Sequence, residues 1–115
     1  MQSEEWLFVF MYLSKDAPLD KIVEILADLL NQTKKSVLIA GDMNWDYPSR
    51  NNCMKKYLME NGFSQQVEEP THVEGSLLDH VYLKIKGGSK TAVNVVQRAK
   101  YYSDHDALFV KIKNI

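Results

Sequence analysis

Ser36-Val37-Leu38-Ile39-Ala40-Gly41-Asp42-Met43-Asn44 is the stretch that decides the fold. Its first five residues carry no charge and do not alternate apolar with polar, which predicts a strand covered on both faces. Strands of that kind belong to α/β sheets, and such sheets collect their chemistry at the carboxyl ends of the strands. Gly41 permits a sharp exit there, and Asp42 and Asn44 then project a carboxylate and a carboxamide two residues apart. The same residue types also favour an Asx-turn that merely finishes a strand. Both readings stand at this point.

Outward from this strand the pattern is consistent. Upstream, Trp6 to Leu13 is a run of aromatic and aliphatic residues, again without alternation, and reads as a second strand buried on both faces. Asp16 is a plausible cap for the helix that follows. Leu19, Ile22, Val23, Leu26, Leu29 and Leu30 recur at helical spacing, with Asp20, Lys21, Glu24 and Asp28 on the opposite side. Downstream, Ser49 to Asn61 predicts a second helix with Met54, Tyr57 and Leu58 inward and Gly62 as its stop. Phe63–Val67, Asp79–Ile85, Ala92–Ala99 and Ala107–Ile112 predict further strands, with a turn at Lys86 to Lys90. The expected architecture is α/β (α+β): one mixed sheet of about six strands with two helices on one face, in a single domain over residues 1–115.

The chain has 115 residues, 45% apolar and 25% charged, with a formal charge of −1. This is the composition of a globular domain, and it argues against a tight, non-specific grip on nucleic acid by the chain as a whole. Cys53 is the only cysteine, which excludes an internal disulfide and a cysteine metal cluster. A reducing, intracellular compartment (nucleus or cytoplasm) is expected. No membrane association is expected either, because the Trp6–Leu13 run is too short to span a bilayer and lacks the basic flank of a signal peptide.

Two more segments carry polar chemistry beside apolar runs. They are Ser76-Leu77-Leu78-Asp79-His80 and Tyr102-Ser103-Asp104-His105. The second also reads as a plain polar loop before the last strand. Tyr12, at the end of the first strand, also reads as a core or edge tyrosine.

Taken in order, Gly41-Asp42-Met43-Asn44, Ser76-to-His80 and Ser103-Asp104-His105 resemble the C-terminal half of the endonuclease/exonuclease/phosphatase family. That family includes abasic-site endonucleases, pancreatic-type deoxyribonucleases and the endonucleases of non-LTR retrotransposons. The resemblance implies half of a four-layer α/β sandwich. It implies that Asp42 positions or deprotonates an attacking water and that Asn44 contacts phosphate. Asp104, with Asp42, would be a ligand for Mg²⁺, and His105 would hydrogen-bond the scissile phosphate. Asp79 would support His105 across two neighbouring strands. Tyr12 stands where the family has a phosphate-contacting tyrosine in a Tyr-x-Pro segment, although the proline is missing here. Glu69-Pro70-Thr71-His72 is similar to the retrotransposon wording and favours nucleic acid over lipid phosphoesters as substrate. His72 and His80 are assigned structural roles.

The family's principal Mg²⁺ ligand is a glutamate on an earlier strand, and only Met1 to Glu5 precede Trp6 in this chain. The resemblance therefore implies a truncated relative of a Mg²⁺-dependent endonuclease, with Mg²⁺ binding weak or lost and little or no activity alone. A chain with only this half should pair its second sheet face with another copy or a complementing chain. The alternative function is a non-catalytic, homo-oligomeric interaction module derived from such a nuclease.

Overall fold

The computed structural model describes residues 6–72, 74–87, 91–98 and 107–114. The chain runs β1 (Trp6–Tyr12), α1 (Leu19–Asn31), β2 (Ser36–Asp42), α2 (Cys53–Glu60), β3 (Ser64–Gln65), β4 (Asp79–Lys84), β5 (Thr91–Arg98) and β6 (Ala107–Asn114). The strands β1 and β2 are parallel and joined through α1, while β4 runs antiparallel on the far side of β2. Strand β3 completes a mixed sheet in the order β1-β2-β4-β3. Among the described residues there are six strands and two helices, as expected, but β5 and β6 hydrogen-bond to each other as a separate antiparallel pair. Among the described residues no helix is long and apolar enough to cross a membrane.

Local chemistry sets the element boundaries. Asp16 does not cap α1. Pro18 takes that position without a side-chain hydrogen bond, and its carbonyl accepts from Lys21 N and Ile22 N at 3.1 and 3.2 Å. A residue before proline is pushed out of helical geometry, so Ala17 cannot extend the helix back to Asp16. Helix α2 starts later than Ser49. Residues 46–50 form a turn, with Arg50 N donating to Asp46 O at 3.0 Å, and Asn52 then caps the helix by accepting from Lys55 N at 2.8 Å. At the other end Gly62 (φ +83°) closes a Schellman turn, in which Phe63 N donates to Leu58 O at 3.0 Å. Strand β3 is short because the Gln65 side chain accepts the Val67 N–H at 2.6 Å and so takes a place the ladder would have used.

Strand β2 is covered on both faces. On one side Val37 and Ile39 pack with Tyr82 against Leu26, Met54, Leu58 and Phe63. On the other, Leu38 packs with Val81, Leu83, Val67 and Leu77, and Val95 of β5 lies against this second cluster. Strand β1 is different. It is an edge strand that buries Leu7, Val9 and Met11 against the helix side but leaves Phe8, Phe10 and Tyr12 48%, 77% and 78% exposed. The expectation of burial on both faces therefore fails for β1, since no described layer covers its second face. Leu29, placed on the apolar side of α1, is also exposed, at 40%.

His80 lies at the centre of the helix-side core, fully buried, edge-on to Trp45 with ring centroids 4.6 Å apart. Its Nε2 meets two carbonyls, Leu77 O at 2.8 Å and Trp45 O at 3.1 Å. Carbonyls only accept, so Nε2 carries the hydrogen and Nδ1 accepts from the Tyr82 hydroxyl at 2.8 Å. The structural role expected of His80 is the one it has. Burial holds the imidazole pKa down to about 4, from 6.5. The unfolded chain therefore takes up this proton first as pH falls. Stability is at its full value above pH 6.5 and declines toward pH 4, by ~3 kcal/mol from this group. Urea unfolding at pH 7 and pH 5 should show that decline, and His80→Gln, less stable at pH 7, should lose most of the pH dependence.

Candidate functional site

Three residues singled out in the sequence fall in one row. Strand register places Tyr12 beside Asp42, and Asp42 opposite Asp79. All three occupy the sheet face away from the helices, the face shared by Phe8, Phe10, Leu38 and Val81, as the alternation of the strands requires. Side chains at directly opposed positions have Cβ atoms ~4.5–5.5 Å apart, and like charges so placed destabilise a sheet unless positive charge or hydrogen-bond donors meet them. Two carboxylates and a phenol thus share the carboxyl end of β2.

Gly41 makes this alignment possible. Its φ is +145°, and a Cβ there would lie 1.8 Å from the Met11 carbonyl oxygen, so the two backbones could not approach as they do. Beyond it, Asp42 Oδ1 accepts the Asn44 N–H at 3.0 Å, and Asn44 adopts φ +56°. The Asx-turn reading is therefore correct as far as it goes. Asn44 does more than turn the chain, because its Nδ2 donates to Leu13 O at 2.6 Å and ties the loop after β1 to the loop after β2.

The start of β4 is held by two residues that the sequence reading did not single out for a role. Thr71 is buried, and its Oγ1 accepts from both Leu78 N and Asp79 N at 3.0 Å. Asp46 accepts the Leu77 N–H at 2.8 Å on Oδ1 and the Ser49 hydroxyl on Oδ2. The Ser49 hydrogen bond, and after it the Leu77 N–H, hold the Asp46 carboxyl below its ordinary range. The Pro70-Thr71 wording was a usable signal for Thr71, whereas nothing in the sequence marks Asp46. His72 has a local role, its Nδ1 accepting from Glu74 N at 3.2 Å.

Asp104 and His105 lie outside the described residues. Strand β4 has β2 and β3 as its hydrogen-bonded neighbours, and β6 pairs with β5. The expected support of His105 by Asp79 falls on a residue outside those described. Among the described residues no group of three or more His, Cys, Asp or Glu side chains is placed to hold a metal ion. Asp42 and Asp79 do offer the hard oxygen donors that Mg²⁺ takes.

No family model matches the chain, and no curated protein does. A solved structure, the endonuclease domain of TRAS1, a telomere-specific non-LTR retrotransposon, superimposes with a TM-score of 0.68. The chain has a nuclease-like fold. The likeness extends over 90% of this chain and 53% of that one, at 17% sequence identity, so this chain spans about half the length of its structural neighbour. At that identity the likeness is one of fold.

Two substitutions test the nuclease-like framework. Gly41→Ala should lower stability by ~3 kcal/mol or more, because it forces β1 from β2 as well as straining the backbone. Thr71→Val should cost ~1–3 kcal/mol by leaving buried N–H groups without an acceptor, and Thr71→Ser should restore most of it. Chemical denaturation of the three variants gives both numbers.

Proposed function

We propose that this chain is part of a Mg²⁺-dependent phosphodiester hydrolase of the endonuclease type, corresponding to the C-terminal half of the endonuclease/exonuclease/phosphatase fold. The observation that carries this reading is the row of Tyr12, Asp42 and Asp79 at the carboxyl end of β2, in a chain with a nuclease-like fold. In this reading Asp42 orients or deprotonates the attacking water, and Asn44 and Tyr12 contact the phosphate. His105 donates a hydrogen bond to the phosphate oxygen that gains charge, and Asp79 steadies that imidazole. Mg²⁺, held by Asp104 and Asp42, would supply positive charge beside the phosphate. Positioning is a large part of phosphoryl-transfer catalysis. A polypeptide that spans about half of its structural neighbour is accordingly proposed to cleave slowly by itself.

Nicking of supercoiled DNA tests this. Slow nicking that requires Mg²⁺, stops with EDTA and falls ~10²–10³-fold in Asp42→Asn and His105→Ala is the expected result. Nicking that persists in EDTA or in both variants would contradict the assignment.

A second reading rests on a different observation. The rings of Trp6, Phe8 and Phe10 stack along β1, with centroids 5.9 and 6.5 Å apart, and Phe10 is 77% exposed. Burying one such side chain is worth ~1.5–3 kcal/mol. A non-catalytic module would use this face to pair with a second copy or a complementing chain. Light scattering after size exclusion should then show an EDTA-insensitive dimer that Phe10→Lys returns to monomer. A wild-type monomer without nicking activity would remove both readings for the isolated chain.

A further inference from the structure

Two unsatisfied surfaces lie side by side, the free edge of β1 and one flank of α1. Among the described residues β1 has β2 as its one hydrogen-bonded neighbour. Leu13 N donates toward β2, to Asp42 O, and successive residues of a strand point their backbone groups to opposite sides. Phe8, Phe10 and Tyr12 therefore turn their N–H and C=O groups to the open edge. That edge is seven residues long and holds no charge, proline or bulge, the devices that ordinarily keep sheet edges from pairing.

The flank of α1 lies above the same edge. Leu26 is buried in the core between helix and sheet. Leu30 shares a groove with Tyr57 of α2, which fixes the side of α1 that faces α2. Helical periodicity puts Ile25 and Leu29 on the other side, away from α2, and Ile25 is 69% exposed.

A single operation satisfies both surfaces. The β1 sequence is symmetric in kind about Val9, with Phe8 matching Phe10, Leu7 matching Met11 and Trp6 matching Tyr12. A second copy placed antiparallel about a two-fold axis at Val9 sets aromatic opposite aromatic and aliphatic opposite aliphatic at every position. It also pairs the edge-facing groups of Phe8 with those of the partner's Phe10. Strands lie ~4.8 Å apart, so a helix centred over β1 and β2 comes to stand ~10 Å from its two-fold mate, an ordinary helix-packing distance. Ile25 is the middle residue of α1 as Val9 is of β1, so it meets its own copy near the axis. Lys21 and Asp28 stand one turn either side of Ile25, both exposed, and the crossing brings Lys21 level with the partner's Asp28, twice per dimer. The edge is ~24 Å long, and the strand and helix layers together are ~20 Å deep. The contact then covers on the order of 1,000 Å² in total, enough for a specific interface of modest affinity.

We propose that two copies of this chain pair edge to edge through β1, antiparallel about Val9, with their α1 helices packed across the axis. The surface is the edge of the sheet and not its aromatic face, and the pairing does not rest on the function proposed above.

Sedimentation equilibrium in EDTA measures the association, and amide hydrogen exchange shows which surface it uses. The expected result is a concentration-dependent dimer whose dissociation constant rises ~10-fold or more in Ile25→Lys. Lys21→Asp should weaken it by ~5-fold, and adding Asp28→Lys should restore it. The Phe8, Phe10 and Tyr12 amides should exchange slowly in the dimer and fast in the Ile25→Lys monomer. The Val9 and Met11 amides, which face β2, should stay slow in both and so report that the variant is folded. A monomer at every concentration up to ~1 mM would overturn the proposal. A dimer that Ile25→Lys leaves intact, or one whose three edge amides exchange freely, would also overturn it, by placing the contact on another surface. Asp42-dependent nicking can succeed or fail independently of these outcomes.

Discussion

The close approach of β1 to β2 at Met11 and Gly41 is the contact on which the rest of the candidate site depends. Nothing larger than hydrogen fits at Gly41, because the Met11 carbonyl occupies the space a Cβ would take. That approach lets Leu13 N reach Asp42 O at 2.9 Å one residue past the paired strands, and lets Asn44 reach Leu13 O from the following turn. It therefore sets Tyr12 level with Asp42. On the other side, Met43 N donates to Leu78 O at 2.8 Å, and Thr71 fixes the next two amides, which sets Asp79 level with Asp42 in turn. A row of three polar side chains on three strands is thus aligned by backbone hydrogen bonds and one buried hydroxyl.

The parts of this arrangement that depend on local pattern were legible in the sequence. The unbroken run Ser36 to Ala40 announced a strand buried on both faces, and β2 is one. Helical spacing placed α1, and Gly62 ended α2. The parts that depend on partners distant in sequence were not. Trp6 to Leu13 has the same unbroken apolar character as β2 but forms an edge strand, because residue type records what a strand tolerates on its faces and says nothing of whether both are covered here. The division of six strands into four and two is equally invisible, since strand pairing is a long-range property. Asp16 lost the capping role to Pro18 through a backbone constraint on Ala17 that residue preference alone does not weigh.

For the site, Tyr12, Asp42 and Asp79 were visible as residues but not as a row, which needed the register. Thr71 and Asp46 illustrate the opposite case. Each acts by accepting backbone N–H groups from a segment a few residues or some thirty residues away, and such roles leave little trace in composition. The electrostatics divide across the sheet end in a way that a net charge of −1 conceals. Two carboxylates stand on the open face, and Lys15 and Arg50 line a cavity on the helix side.

The most direct test of the central claim, that the carboxyl end of β2 is built to hold a metal and a phosphodiester, is paramagnetic line broadening by Mn²⁺ in the ¹H–¹⁵N spectrum, with Mn²⁺ standing in for Mg²⁺. The account predicts selective broadening of the Asp42, Met43, Asn44 and Asp79 amides at low Mn²⁺, reversed by excess Mg²⁺. Broadening spread evenly over exposed acidic residues such as Glu24 and Glu60, with these four amides unaffected, would contradict it.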